Sequence, residues 1–260
     1  MTPNRWSDTW LSRIEDAGIN ASAPPQQRWV DGWLLRFSPG KAKRARCVQA
    51  VAAGRLPLDQ RLGLCQAVFT DAGLPMLVRI TPFSQPPGLD SALAALDYHR
   101  LDDTRVMVAA LGARVAPPLP AGVALQRLAP VDFAEAVGAL RGSPAGQRAA
   151  QAQRLLASPV PYQGWVLRRV DDEHILACGQ TALEAELVGL YDVFTDPVAR
   201  GQGLARLLCA HLLAKGQAEG AQVAYLQVEA DNAPARAIYH RLGFADAYAY
   251  HYRTPNPEAH

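Results

Sequence analysis

The stretch VFTDPVARGQGLARLL, residues 193–208, sets two glycines one residue apart, behind an arginine and ahead of an apolar run. Gly201 and Gly203 permit positive φ and let another molecule come close to the backbone. A helix starting near Leu204 would offer unpaired N–H groups and the positive end of a dipole, the chemistry that holds phosphate. Two common phosphate motifs are excluded by residue type. The P-loop needs a Lys-Ser or Lys-Thr pair after its last glycine, and none follows Gly203. The dinucleotide fingerprint needs a third glycine where this chain has Arg206, whose bulk would prevent close packing of helix on strand.

A third pattern fits. The run Arg200-Gly201-Gln202-Gly203-Leu204-Ala205, with Pro197 three residues ahead, matches the Gln/Arg-x-x-Gly-x-Gly/Ala motif of the GNAT N-acetyltransferase superfamily. Downstream, LQVEADNAPARAIYHRLGF (residues 226–244) resembles the second signature of that family. The resemblance implies acetyl-CoA as co-substrate, no metal, and an amine acceptor that attacks the thioester directly, so that Cys178 and Cys209 need not be nucleophiles. It implies that N–H groups of residues 201–205 hold the pyrophosphate, with Gly201, Gln202, Gly203, Leu204 and Ala205 in the loop and Arg200 and Arg206 adding charge. The pantetheine arm would pair with the backbone of Val193, Phe194 and Thr195, an N–H near Val193 would face the developing oxyanion, and Asn232 would touch the cofactor.

Tyr239 matches the tyrosine that protonates the departing thiolate; a core tyrosine beside Ile238 and Leu242 is the plainer reading. Relatives place a glutamate base at positions that correspond here to Gly189 and Gln227. Glu229, two residues beyond Gln227 and so on the same face of its strand, is open to three roles: base, anchor for a cationic acceptor, or solvated strand end. Asp192 is nearer the thioester but is expected to face the other way.

The elements that must position these groups alternate strand and helix. GVALQRLAP reads as a strand, Asp132 as the cap of a helix through FAEAVGAL, and GQRAAQAQRLLA as a second helix. YQGWVLRRV and HILACGQTAL read as a hairpin, and ELVGLYDVFT as a mostly apolar central strand. The glycine turn then opens a helix with Leu204, Leu207, Leu208 and Leu212 at helical spacing, followed by VAYLQVEA, a helix ended by Gly243, and a closing strand FADAYAYHYR. Residues 114–122, RVAPPLPAG, form the clearest seam. The first half repeats the order more faintly: GWLLRF and RCVQAVAA as strands, a helix after Pro57, LPMLVRIT, the helix LDSALAALDY, and TRVMVAAL. AAGRLPLDQ, with Pro57 and Asp59, stands where the second half has its glycine turn. The expected architecture is an α/β fold with mixed sheet: two GNAT-like domains in tandem, a degenerate one over residues 1–115, a linker at 116–122, and a working one over 123–260.

Composition excludes several classes. At 49% hydrophobic and 19% charged, the chain can bury a core, and its net charge of +2 gives no electrostatic track for nucleic acid or an anionic membrane. Four scattered cysteines without a C-x-x-C pair predict buried thiols. His174, His211, His240 and His251 stand apart from one another, which predicts no ligand cluster. The N-terminus MTPNRWSDTW lacks the apolar core of a signal peptide, so a cytoplasmic protein is expected. Nucleic acid and membrane are not expected partners, and a homodimer stays open. The basic run KAKRARC, residues 41–47, reads as a charged loop, and Trp29 and Trp33 as packing residues of a hairpin.

Overall fold

Val188, Leu190, Ala224 and Leu226 alternate with residues of the opposite face along two adjacent strands, and this alternation fixes which side of the sheet a helix must cover. The computed structural model describes residues 6–38, 42–256 and 258; residues 1–5, where the missing signal core was sought, and Lys41 of the basic run lie outside them. The chain divides into two compact units. Unit one comprises the N-terminal residues up to Ala21 together with Val106–Val228 and Asn232–Ala247; unit two comprises Ser22–Arg105, Glu229–Asp231 and the segment from Tyr248 onward. The fold is mixed α/β, as expected.

In unit one, β6 (Val123–Leu128), β7 (Tyr162–Arg169), β8 (Ile175–Glu184) and β9 (Leu187–Thr195) form an antiparallel run. β10 (Val223–Glu229) then lies parallel to β9, and β5 (His99–Ala110) follows it in the strand order. The parallel step requires a crossover, supplied by α6 (Leu204–Ala218). Leu208, Leu212 and Leu213 of α6 are buried on Val188, Leu190, Ala224 and Leu226, and each such side chain contributes about 1.5–3 kcal/mol by leaving water. Helix and sheet approach closely at Gly216, where a Cβ would stand 3.0–3.2 Å from Val188. On the other face lie α4 (Pro130–Leu140), α5 (Ala145–Leu156) and α1 (Asp8–Ala21). Sequence reading identified no element over α1, yet Asn20 donates to Glu184, the Tyr162 hydroxyl donates to the Ala21 carbonyl, and Arg13 pairs with Glu186.

In unit two the strand order is β1 (Gln27–Val30), β2 (Trp33–Arg36), β3 (Val48–Gln49), β4 (Val78–Ile80) and β11 (Ala245–Thr254), the last through its C-terminal residues. β3 and β4 are parallel, joined by α2 (Leu58–Asp71), whose Leu62, Cys65 and Phe69 are buried; α3 (Leu89–Ala95) buries Leu89 and Leu93 in the same core. Each unit therefore contains a parallel strand–helix–strand step.

Several local expectations need correction. Asp132 is not a cap: Ala129 is the N-cap, Pro130 takes the first helical position, and Asp132 sits in the first turn. The strand read from RCVQAVAA shrinks to Val48–Gln49, since Ala50 is already hydrogen-bonded to a loop. Of the hairpin tryptophans, Trp33 is fully buried but Trp29 is 62% exposed. All four cysteines are buried, and none is in a disulfide.

β7 and α4 meet where Gly164 leaves room for Phe133, whose ring would stand 2.5 Å from an added Cβ. Gly164→Ala should destabilise the chain by about 1–3 kcal/mol through overpacking. Gly146→Ala, in α5 with open space around it, should stabilise by about 0.5–1 kcal/mol. Urea denaturation of both variants checks the contrast.

Candidate functional site

The loop after β9 is built from its backbone outward. Asp196 accepts from the Val198 N–H at 3.2 Å and pairs with His174 at 2.6 Å, which starts a 3-10 turn, Pro197–Ala199, and holds the Asp196 carboxyl below its usual range. Gly201 and Gly203 then adopt φ of +80° and +76°, values that favour glycine, and an added Cβ at either would meet nothing within 4 Å. Gly203 is the N-cap of α6 and no side chain caps that helix. The first N–H groups of α6 therefore open onto exposed glycines, flanked by the exposed side chains of Gln202 and Arg206, while Leu204 anchors the turn in the core and Ala205 is half-buried. Arg200 donates through Nε to the Thr195 carbonyl at 3.4 Å and stacks 5.6 Å from the Phe194 ring.

The strand that leads into this loop has an open edge. Pairing of β9 with β10 ends at Leu190↔Leu226, although β9 continues to Thr195 and β10 to Glu229. The opposite edge of β9 stays occupied, with Ala177↔Thr195 and Cys178↔Phe194. Val193 and Thr195, alternating with Phe194, which faces β8, thus present backbone groups on the side away from β8, and the Thr195 Oγ1 is buried with no hydrogen-bond partner. An extended ligand bearing amides fits such an edge, and a phosphate fits the uncapped helix start beyond it. The parts that a coenzyme A thioester would need are contiguous here.

Asp192 marks where the strands part. Its φ is +50°, the β8–β9 register shifts beside it, and its side chain, 21% exposed, is held by three donors. Gln180 Nε2 donates at 2.6 Å, Arg141 Nη1 at 3.0 Å and Gln151 Nε2 at 3.0 Å. Desolvation pushes this carboxyl up, but the charges of Arg141 and Arg154 and the hydrogen bonds from Arg141 and Gln180 outweigh it and leave the group below its usual value. An acid so held is a poor proton acceptor; its role is to fix the bulge and tie α4 and α5 to β9. Arg141 also stacks 5.4 Å from Phe194. Sequence reading missed this cluster. Gln180, a single amide in the apolar run ILACGQTAL and fully buried, was the signal that a polar partner had to lie opposite.

The remaining residues fall as follows. Gly189 has no space for a side chain, because a Cβ would stand 2.5–2.8 Å from Tyr191 and Tyr225, whose hydroxyls bond each other at 2.8 Å. Gln227 Nε2 comes within 2.9 Å of the Cβ position of Gly18 in α1. Glu229 ends β10, is exposed, and belongs to unit two. Asn232 caps α7 (Ala233–Arg241), accepting from the Ala235 N–H at 3.2 Å. Tyr239 is buried beside Cys209 and 6.0 Å edge-on from Phe244, and burial raises its phenol well above the ordinary value, so it stays protonated at neutral pH. Among the described residues, no group of three or more His, Cys, Asp or Glu could hold a metal, and no helix is long and apolar enough to cross a membrane.

The family model for the Acetyltransferase (GNAT) family matches residues 134–244. A mycothiol acetyltransferase from Actinosynnema mirum is 31% identical over 185 residues, 67% of this chain and 62% of that protein, so the chain spans under two thirds of that relative's length. Among solved structures, a GCN5-related N-acetyltransferase from Kribbella flavida superposes with a TM-score of 0.67 at 19% identity, covering 94% of this chain and 95% of that one. A tandem GNAT protein from the clavulanic acid biosynthesis pathway gives 0.61 at 16% identity, covering 78% and 72%.

Because Asp192 titrates lower in the folded chain than in the unfolded one, its contribution to stability is present above the ordinary carboxylate range and is lost as pH falls through the folded value. Asp192→Asn, which turns an NH2 donor toward donors, should cost about 1–3 kcal/mol at neutral pH. The gap to wild type should close in acid, as read by denaturant unfolding at a series of pH values.

Proposed function

Since the chain belongs to the GNAT acetyltransferase family, we propose that it transfers an acetyl group from acetyl-CoA to a primary amine, and that the site is the loop and strand edge of unit one. The observation that carries this reading is the open edge of β9 at residues 193–195 running into an uncapped helix start at Gly203. The thioester supplies the activated acyl group. The chain's own groups would do the rest. Backbone amides of Val193 and Thr195 align the pantetheine arm, while N–H groups of residues 201–205, with Arg200 and Arg206, neutralise the pyrophosphate. An N–H near Val193 faces the carbonyl oxygen as it gains charge.

In the step proposed, the amine nitrogen bonds to the carbonyl carbon, the C–S bond breaks, and the thiolate takes the Tyr239 proton. Burial keeps the Tyr239 proton in place but also makes the phenol a weaker acid, so the acid role rests on its match to the family's tyrosine, and the same burial suits a core residue. The amine's proton leaves through water, since Gly189 is filled by tyrosine rings and Asp192 is held by its donors. Glu229 would draw a cationic acceptor toward the end of β10. The acceptor is a small amine, an amino acid or a protein N-terminus. The first half, residues 1–115, would be a degenerate partner that binds no coenzyme A. The filled Gly189 position also favours a second reading, a chain that binds acetyl-CoA as a sensor without turnover.

Acetyl-CoA should raise the melting temperature by mass action, and Gly203→Asp should abolish that rise. An amine screen that follows free thiol separates enzyme from sensor. With an acceptor in hand, Tyr239→Phe should lower turnover by about 10²-fold in a chemistry-limited assay; unchanged turnover would return Tyr239 to the core.

A further inference from the structure

Unit two contains the same parallel step as unit one: β3, α2 and β4 stand to each other as β9, α6 and β10 do. In unit two the pairing runs over Val48↔Val78 and Gln49↔Arg79 and stops where β3 itself stops. Here, though, the chain fills its own openings. The Ala50 carbonyl, next along the strand, accepts from the Gln85 N–H at 2.8 Å, and the Gln85 carbonyl accepts from Trp33 Nε1 at 3.0 Å. Gln85 takes the place on this edge that an extended ligand would have.

The loop ahead of α2 is filled as well. Gly54 has φ of +71°, as Gly201 has +80° in the other loop, and the two N–H groups that follow Gly54 converge on one point. That point is a carboxylate. Arg55 N donates to Asp31 Oδ1 at 2.9 Å and Oδ2 at 3.0 Å, and Leu56 N donates to Oδ2 at 2.9 Å. Arg61 of α2, only 4% exposed, adds a charge-assisted bond from Nε to Oδ2 at 2.9 Å. Its position is fixed by a second bond from Nη2 to the Leu56 carbonyl at 2.8 Å and by stacking 4.8 Å from the Trp33 ring. Successive loop N–H groups beside a buried guanidinium are the groups that cradle phosphate elsewhere. The hairpin turn that delivers Asp31 is seated by the Ala52 N–H on the Gly32 carbonyl at 3.0 Å, and Asp31 is held at φ of +42° to reach in. A side chain at Gly54 would collide with Asp31 and Arg61.

We infer that Asp31 is an intramolecular stand-in for a bound anion: its carboxylate occupies the N–H and arginine cradle ahead of α2 and closes unit two to phosphate ligands. With Gln85 on the strand edge, both halves of the opening that unit one keeps free are taken up by the chain itself. This inference concerns unit two alone and stands whether or not unit one transfers acetyl groups.

Asp31→Gly removes the carboxylate while tolerating the positive φ. The test places it in a Gly203→Asp background, so that the loop after β9 contributes no anion site, and uses inorganic pyrophosphate against sodium chloride of equal ionic strength. The Gly203→Asp chain should show no rise beyond the chloride control. The Asp31→Gly, Gly203→Asp chain should gain about 4 °C or more at millimolar pyrophosphate, and adding Arg61→Gln should remove most of that gain. If the double variant does not fold unaided, pyrophosphate should restore its folded circular dichroism spectrum by the same mass action. Failure of pyrophosphate either to raise the melting temperature or to rescue folding overturns the proposal, as does an equal response without the Asp31 change.

Discussion

Every backbone N–H and C=O withdrawn from water must find a partner, and two parallel strands that stop pairing partway leave a row of such groups unmatched. The end of the β9–β10 ladder at Leu190↔Leu226 creates that situation in unit one. Much of the local structure answers it. The bulge at Asp192 turns β9 away, the Arg141–Gln151–Gln180 cluster holds the bulge, and the glycines at 201 and 203 bring an uncapped helix to the same opening. In the proposed acetyltransferase these features would form one side of a pairing whose other side is the ligand.

Unit two meets the same constraint without a ligand. The difference lies in a few residues: a Gln85 backbone on the edge, an aspartate on a hairpin, an arginine one turn into α2. An anion bound by three or four donors and an aspartate bound by the same donors are alike in charge and geometry, but the aspartate carries no translational entropy cost on binding because it is already part of the chain. An internal carboxylate therefore excludes an external phosphate at modest concentration. The two units thus show one supersecondary step used once as an open cradle and once as a closed joint.

What could be read from the sequence follows from how local each signal is. The turn at residues 200–205 was legible because glycine at positive φ and an apolar helix face are both local properties. The β7–β8 hairpin and the α6 crossover were legible for the same reason. α1 was not: DTWLSRIEDAGINA has no strong propensity signal, and it is held by Asn20, Arg13 and the Ala21 carbonyl through partners more than 100 positions away. The Asp132 cap failed because Pro130 is better suited to open a helix than Asp132 is to precede one. The Asp192 cluster was invisible because its three donors come from α4, α5 and β8, and the Asp31 cluster because the carboxylate lies 24 to 30 positions from its donors; both are joined only by the fold.

The missing glutamate is the most informative absence of a side chain. On the face of β9 that carries Gly189, the space is taken by Tyr191 and Tyr225, tied hydroxyl to hydroxyl, with Tyr162 5.4 Å from Tyr191 edge-on. A carboxylate introduced there would displace aromatic surface and lose the hydration that keeps it charged. Asp192, one residue past Tyr191, keeps its charge by accepting from three donors, and the same donors lower its basicity. In this architecture a carboxylate at the head of the open β9 edge can be well held or a good base, but not both.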